Sequence, residues 1–263
     1  MSAKKTDKKT PNQKVIATMN ISRSDLKIIR SGKPFSIGLI PSQLMAGRNV
    51  VVVAKVNDTN KKTGLMIQIA FMDPEVDQRK IDGDTPNGQG CFRSACSIFD
   101  QCYVQSFVFH IGALARVIDQ YNAGILPSIN LGTFLAYVGS CGIPVRFGEY
   151  GDPSSVPFEY LETIASKSSG WTGYTHGWKN CDQRLKTLCM ASVENESDYR
   201  LAKSMGWNVF WVNGTPDKTE FRMTCLNVTN DIQCADCKLC RGDRYRFDIV
   251  IPAHGRNAKK VGV

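Results

Sequence analysis

The sequence predicts an α/β fold: a partial (β/α) barrel-like parallel sheet with a cysteine-rich, metal-binding appendage at its C-terminal end. Three observations predict it. Strand-like and helix-like periodicities alternate between Ile143 and Val212, as they do when parallel strands are joined by helical crossovers. Successive strands in that stretch start about 20 to 30 residues apart, the length of a βα unit and too long for a hairpin. The last quarter of the chain carries Cys225, Cys234, Cys237 and Cys240 in the spacing of metal ligands.

Taken in order, three β-rich runs come first, Phe35 to Ile40, Asn49 to Val56 and Leu65 to Phe71, separated by Pro41, Gly47 and the polar Asp58 to Gly64. Residues Asp73 to Gly90 are polar and broken by Pro74, Gly83 and Pro86, so they predict a loop that delivers Cys91. Apolar residues at helical spacing predict helices over Gln105 to Tyr121 and Leu131 to Gly139. Strands at Ile143 to Phe147, Gly170 to Thr175, Leu188 to Val193 and Trp207 to Val212 then alternate with helices at Val156 to Ser168, Asp182 to Lys186 and Glu196 to Met205. Tyr245 to Ile251 predicts a last strand. The chain divides as a disordered basic tail over 1–20, an α/β domain over 21–215 with the three-cysteine loop at 91–102, and a metal-binding segment with the final strand over 216–263.

The longest apolar runs are strand-length, far short of the roughly 20 residues of a membrane span, and the N-terminus lacks the apolar core of a secretory signal. A cytoplasmic location and no membrane partner are therefore expected. Ten cysteines in a reducing compartment point to metal rather than to a disulfide framework. The net charge of +9 and a pI near 9.0 make a nucleic acid or nucleotide a fitting partner. Much of the excess sits in the tails, so a merely solubilising role for it stays open.

Cys225, Cys234, Cys237 and Cys240 supply four thiolates, enough to close a tetrahedral zinc site or to hold the four corners of a cubane. Three cysteines within seven residues wrap a cluster more readily than the paired knuckles usual for zinc, which favours a 4Fe-4S cluster over zinc. Cys91, Cys96 and Cys102 offer only three thiolates, leaving one coordination position open. Such a centre can take a substrate or S-adenosylmethionine, or as zinc can activate water. Cys141, Cys189 or His110 would close it if one of them supplied a fourth ligand.

Arg146, Glu149 and Asp152 follow one predicted strand, and Tyr174 and His176 end the next. The carboxyl ends of neighbouring parallel strands face one side, so these five groups are expected to converge on one mouth, joined by Ser192, Glu194 and Asn213 from later strands. Glu149 or Asp152 would serve as acid or base with His176, and Arg146 would clamp a carboxylate or phosphate. A plain ion pair between Arg146 and Glu149 or Asp152, bracing the turn before Pro153, is the alternative.

The cysteine triplet ending Cys102-Tyr103, the runs RFGEYGDP, WTGYTHGW, CMASV and GWNVFWV, and the final CxxCxxC followed by IPAHG resemble, in this order, an uncharacterised phage- and plasmid-borne cysteine-rich family distantly similar to the mycobacteriophage gene product eighty-eight family. The resemblance spans roughly Cys91 to Gly255. It implies a mobile-element origin and a reduced likeness to radical S-adenosylmethionine enzymes, with one cluster before a partial barrel and an auxiliary one after it. The expectation is thus an iron–sulfur protein with redox or radical chemistry on an unspecified substrate. A zinc-stabilised nucleic-acid-binding protein of phage replication or packaging, and a structural phage protein, are the rival expectations.

Overall fold

A computed structural model describes residues 21–57, 60–76, 109–218, 221–243 and 247–252. The proposed tail over 1–20, the loop carrying Cys91, Cys96 and Cys102, and His254 lie outside these residues. The described chain is mixed α/β and forms two five-stranded sheets. The first runs β1 (Phe35–Pro41), β2 (Asn49–Asn57), β3 (Met66–Met72), β4 (Val145–Phe147), β5 (Trp171–Thr172). The second runs β6 (Tyr174–Thr175), β7 (Met190–Val193), β8 (Val209–Val212), then β10 (Asp248–Ile251) and β9 (Arg222–Thr224).

From β3 onward every pairing is parallel, but β1, β2 and β3 are antiparallel. The expected parallel sheet is found from β3 onward, and the antiparallel β1 to β3 depart from it. The connections over 42–48 and 58–65 are too short to carry a chain back across the sheet, so each can only reverse it. No barrel closes among the described residues, because β1 and β9 remain edges. The strand predicted from Gly170 to Thr175 is split into β5 and β6 at Gly173. A Cβ on Gly173 would lie 2.9 Å from Cys189 Sγ and 3.3 Å from Phe147 Cβ. Its N–H donates to Cys240 O instead of to a strand neighbour.

One face of the sheets is covered by α3 (Leu131–Cys141), α4 (Phe158–Lys167) and α5 (Glu196–Ser204). Alternate strand residues Ile67, Ile69, Val145, Phe147, Ala191, Val193, Val209 and Trp211 form the main core with them. The opposite face is divided. Val51, Val53, Ala70 and Met72 pack against α2 (Phe109–Asn122), while Met190, Phe210, Ile249 and Ile251 pack against the cysteine-rich segment. β3 is buried along its whole length because both of its faces are covered.

Further differences from the predicted elements are local. Asp182 does not open an α-helix. Its side chain accepts from Arg184 N and caps a 3-10 turn over Gln183–Thr187. α1 (Arg23–Ile29), capped by Ser22, is short, and only Ile29 in it is buried, so its apolar periodicity is faint. The C-terminal segment adds two strands to the second sheet, with β10 inserted between β8 and β9. Asp248 anchors it from full burial, accepting from Val209 N at 2.7 Å, Tyr199 Oη at 3.0 Å and Lys203 Nζ at 3.0 Å.

Candidate functional site

Between β9 and β10 the chain leaves the sheet edge, forms α6 (Leu226–Asn230) and α7 (Cys234–Cys237), and crosses the face opposite α3–α5. Asp231 and Lys238 end these two short helices in the left-handed region, at φ 55° and 51°. Three backbone hydrogen bonds among the described residues seat the crossing. Cys234 N and Ala235 N donate to Lys62 O and Thr63 O, at 3.1 and 2.9 Å, on the turn before β3. Cys240 O accepts from Gly173 N at 2.8 Å. Gly242 passes so close to the turn before β7 that a Cβ there would sit 1.9 Å from Lys186 O.

This path gathers the four C-terminal cysteines. Cys225 and Cys240 belong to one apolar cluster with Met190, Phe210, Ile249 and Ile251. Cys240 lies within electrostatic range of Cys234, Cys225 and Cys237. Burial, then the like charges of these neighbours, pushes its thiol well above the ordinary range, against the pull of Arg146. Burial likewise raises Cys234, with Cys225 and Cys237 adding to it and Arg146 and Lys62 opposing. Apposed thiols of this kind keep their protons until a cation replaces them. Among the described residues, no group of three or more His, Cys, Asp or Glu side chains is arranged to hold a metal ion. The four thiols are neighbours, not a closed shell around one ion.

The five polar residues expected at one mouth fall into three groups. Arg146 and Tyr174 face the cysteines. Arg146 pairs in register with Gln68 on one side and Thr172 on the other, and its Nη2 donates to Tyr174 Oη at 3.3 Å. The Tyr174 ring stacks on Phe210, with centroids 4.6 Å apart, and packs against the cluster that holds Cys225 and Cys240.

Glu149 turns elsewhere. Gly148 N and Glu149 N both donate to Ile69 O, a local irregularity at the end of β4, and Glu149 forms an ion pair with Lys55 of β2. The alternative expectation of an ion pair from Arg146 to Glu149 or Asp152 is not what forms. Lys55 was the missed partner. Its one signal was a lone charge inside the apolar run from Asn49 to Val56.

Asp152 and His176 form the third group, at the carboxyl ends of the strands. Asp152, 6% exposed, accepts from Ser154 N, Ser154 Oγ and Thr175 Oγ1 through one oxygen and from His176 N through the other. It caps the 3-10 turn over Pro153–Ser155 and ties it to β6. His176 Nε2 lies 3.0 Å from Oε1 of Glu194, which follows β7 and is itself buried. Burial pulls the His176 pKa down, but the hydrogen bond to Glu194 and the charges of Glu194 and Asp152 outweigh it, so the net shift is upward. Ser192 is buried, its carbonyl accepting from Trp178 Nε1, and Asn213 ends β8 in the left-handed region at φ 61°.

Of the other thiols, Cys141 and Cys189 are buried in the main core under the helices, free of disulfides. Cys91, Cys96 and Cys102 lie outside the described residues, and so does the side chain of His110. No helix among the described residues is long and apolar enough to cross a membrane. Compared with known proteins, the chain matches no family model, no curated protein and no solved structure.

Proposed function

We propose that this chain is an iron–sulfur protein in which Cys225, Cys234, Cys237 and Cys240 hold a 4Fe-4S cluster against the sheet face that carries Arg146 and Tyr174. The observation that carries the reading is the gathering of three soft thiols around that of Cys240 by a segment pinned at both ends. A cubane places its own iron and sulfide between any two cysteines, so it suits thiols that are neighbours without forming a shell around a single ion. Arg146 and Lys62 supply positive charge beside a centre whose ligands are anions. Once bound, a cluster there supplies one-electron transfer.

Cys91, Cys96 and Cys102 are proposed, on their spacing alone, to hold a second centre with an open position suited to S-adenosylmethionine. In this reading the His176 and Glu194 pair at the strand ends offers a proton donor and acceptor, and Asp152 positions His176 by holding its backbone. The resemblance read from the sequence motifs supports a mobile-element origin for such chemistry.

The test is purification without oxygen, followed by iron, zinc and acid-labile sulfide per chain and the visible spectrum. The expected result is about four irons with matching sulfide from the C-terminal centre, and about seven to eight if both centres load. Cys237→Ser should remove about four. Zinc without iron would overturn the reading in favour of a zinc-stabilised protein.

A further inference from the structure

Away from the cysteines, α1 and α2 border a groove of about 640 Å³, within the span of roughly 300 to 1,000 Å³ that ligand sites occupy. Its floor is aliphatic, with Ile28, Val117 and Ile125 among the lining residues, and Ile125 is 70% exposed. Its rim holds Lys27, Lys33 and Arg116, and no acidic residue lines it. None of these three cations makes an ion pair among the described residues, whereas Arg48, Lys55, Lys179, Arg184 and Lys203 all do. Arg23 extends the same charge one turn back along α1.

We infer that this groove is a binding surface for single-stranded nucleic acid, with phosphates on Lys27, Lys33 and Arg116 and bases against the aliphatic floor. The unpaired cations select an anion, and the size of the groove exceeds what a lone phosphate would fill. A duplex hides its bases and would leave the apolar floor uncovered, whereas a single strand presents them. An acidic protein segment shares the charge. The net charge of +9 over the whole sequence favours a polyanion such as a phosphate backbone over a single short acidic segment. The inference is independent of the metal reading.

The test uses the full chain and a fluorescein-labelled oligothymidylate, with anisotropy measured over a salt series. Each phosphate contact on a single strand contributes roughly 0.7 to the slope of log affinity against log salt. Replacing Lys27, Lys33 and Arg116 together with alanine should therefore flatten the slope by about two. All three are surface side chains, so circular dichroism and the thermal midpoint should stay unchanged. Ile125→Gln should weaken binding several-fold at fixed salt with the slope retained. Lys167→Ala, which removes an exposed cation at the end of α4, should change neither. An unchanged slope in the triple variant, or an equal loss with Lys167→Ala, would overturn the assignment. Duplex DNA bound as tightly as the single strand, or a Glu- and Leu-rich peptide bound in preference to the oligonucleotide, would overturn it as well.

Discussion

Arg146 Nη2 of β4 donates to Tyr174 Oη of β6 at 3.3 Å, from one sheet to the other, and this pair lies beside the C-terminal cysteines rather than the strand-end network of Asp152, His176 and Glu194. In the proposed iron–sulfur reading, a fixed guanidinium beside the cluster favours the reduced state, which carries one more negative charge. Arg146→Gln should lower the midpoint potential by about 60 mV for each tenfold loss in the reduced-to-oxidised ratio. Arg146→Lys should restore most of it. Iron content should hold in both variants, and potentiometric titration of the visible or EPR signal reads the shift. An unchanged potential at full iron loading would leave Arg146 without an electrostatic role.

Asp152→Ala should destabilise the protein by about 3 kcal/mol, since it strands the buried N–H of Ser154 and leaves Thr175 Oγ1 and His176 N without their acceptor. Asp152→Asn keeps one acceptor oxygen and should cost roughly 1 to 2 kcal/mol. Urea unfolding midpoints measure both. Equal losses would mean that the charge, not the hydrogen bonding, is what this position supplies.

His176 predicts a pH dependence with a definite sign. Its folded-state pKa is raised above the ordinary 6.5, so its contribution to stability is fully present below that pH and is lost as pH rises through the folded-state value. Glu194→Gln keeps an acceptor oxygen but removes the carboxylate charge that holds the proton on the ring against burial, so the His176 ring should then titrate below 6.5 and the pH dependence should reverse. NMR titration of the imidazole protons, with unfolding midpoints across the same range, decides it.

Gly242→Ala places a methyl 1.9 Å from Lys186 O, a backbone atom that cannot swing away. The expected cost is roughly 3 kcal/mol, with loss of bound metal as the cysteine segment lifts off. Gly47→Ala is the comparison. Its φ is positive, 76°, which that of Gly242 is not, but it has open space around it, and the change should cost only about 1 kcal/mol with metal retained. Thermal denaturation and iron content separate the two.

The strands and most of the helices were legible because their apolar periods are strong. Met66–Met72 and Asn49–Asn57 need no tertiary context to read as strands. Arg146 and Tyr174 were expected together only as two of five groups at one strand-end mouth, a grouping that the structure splits into three. What stayed hidden depended on contacts distant in sequence. Lys55 reaches Glu149 only because β3 and β4 place β2 beside that turn. The break at Gly173 exists because Cys240 claims its N–H from the other end of the chain. Neither residue carries a local mark of its partner.

The insertion of β10 between β8 and β9 gives synthesis on the ribosome a direction. Until Asp248–Ile251 emerges, Val209–Val212 has nothing along one flank and Asp248 cannot accept from Val209 N. The last cysteine precedes that strand by only a few residues, so the crossing segment can be clamped only once β10 has emerged. Any centre built there is installed after the strands of both sheets have been made. A chain stopped short of β10 would carry an open, apolar strand edge of the kind that draws nascent chains together.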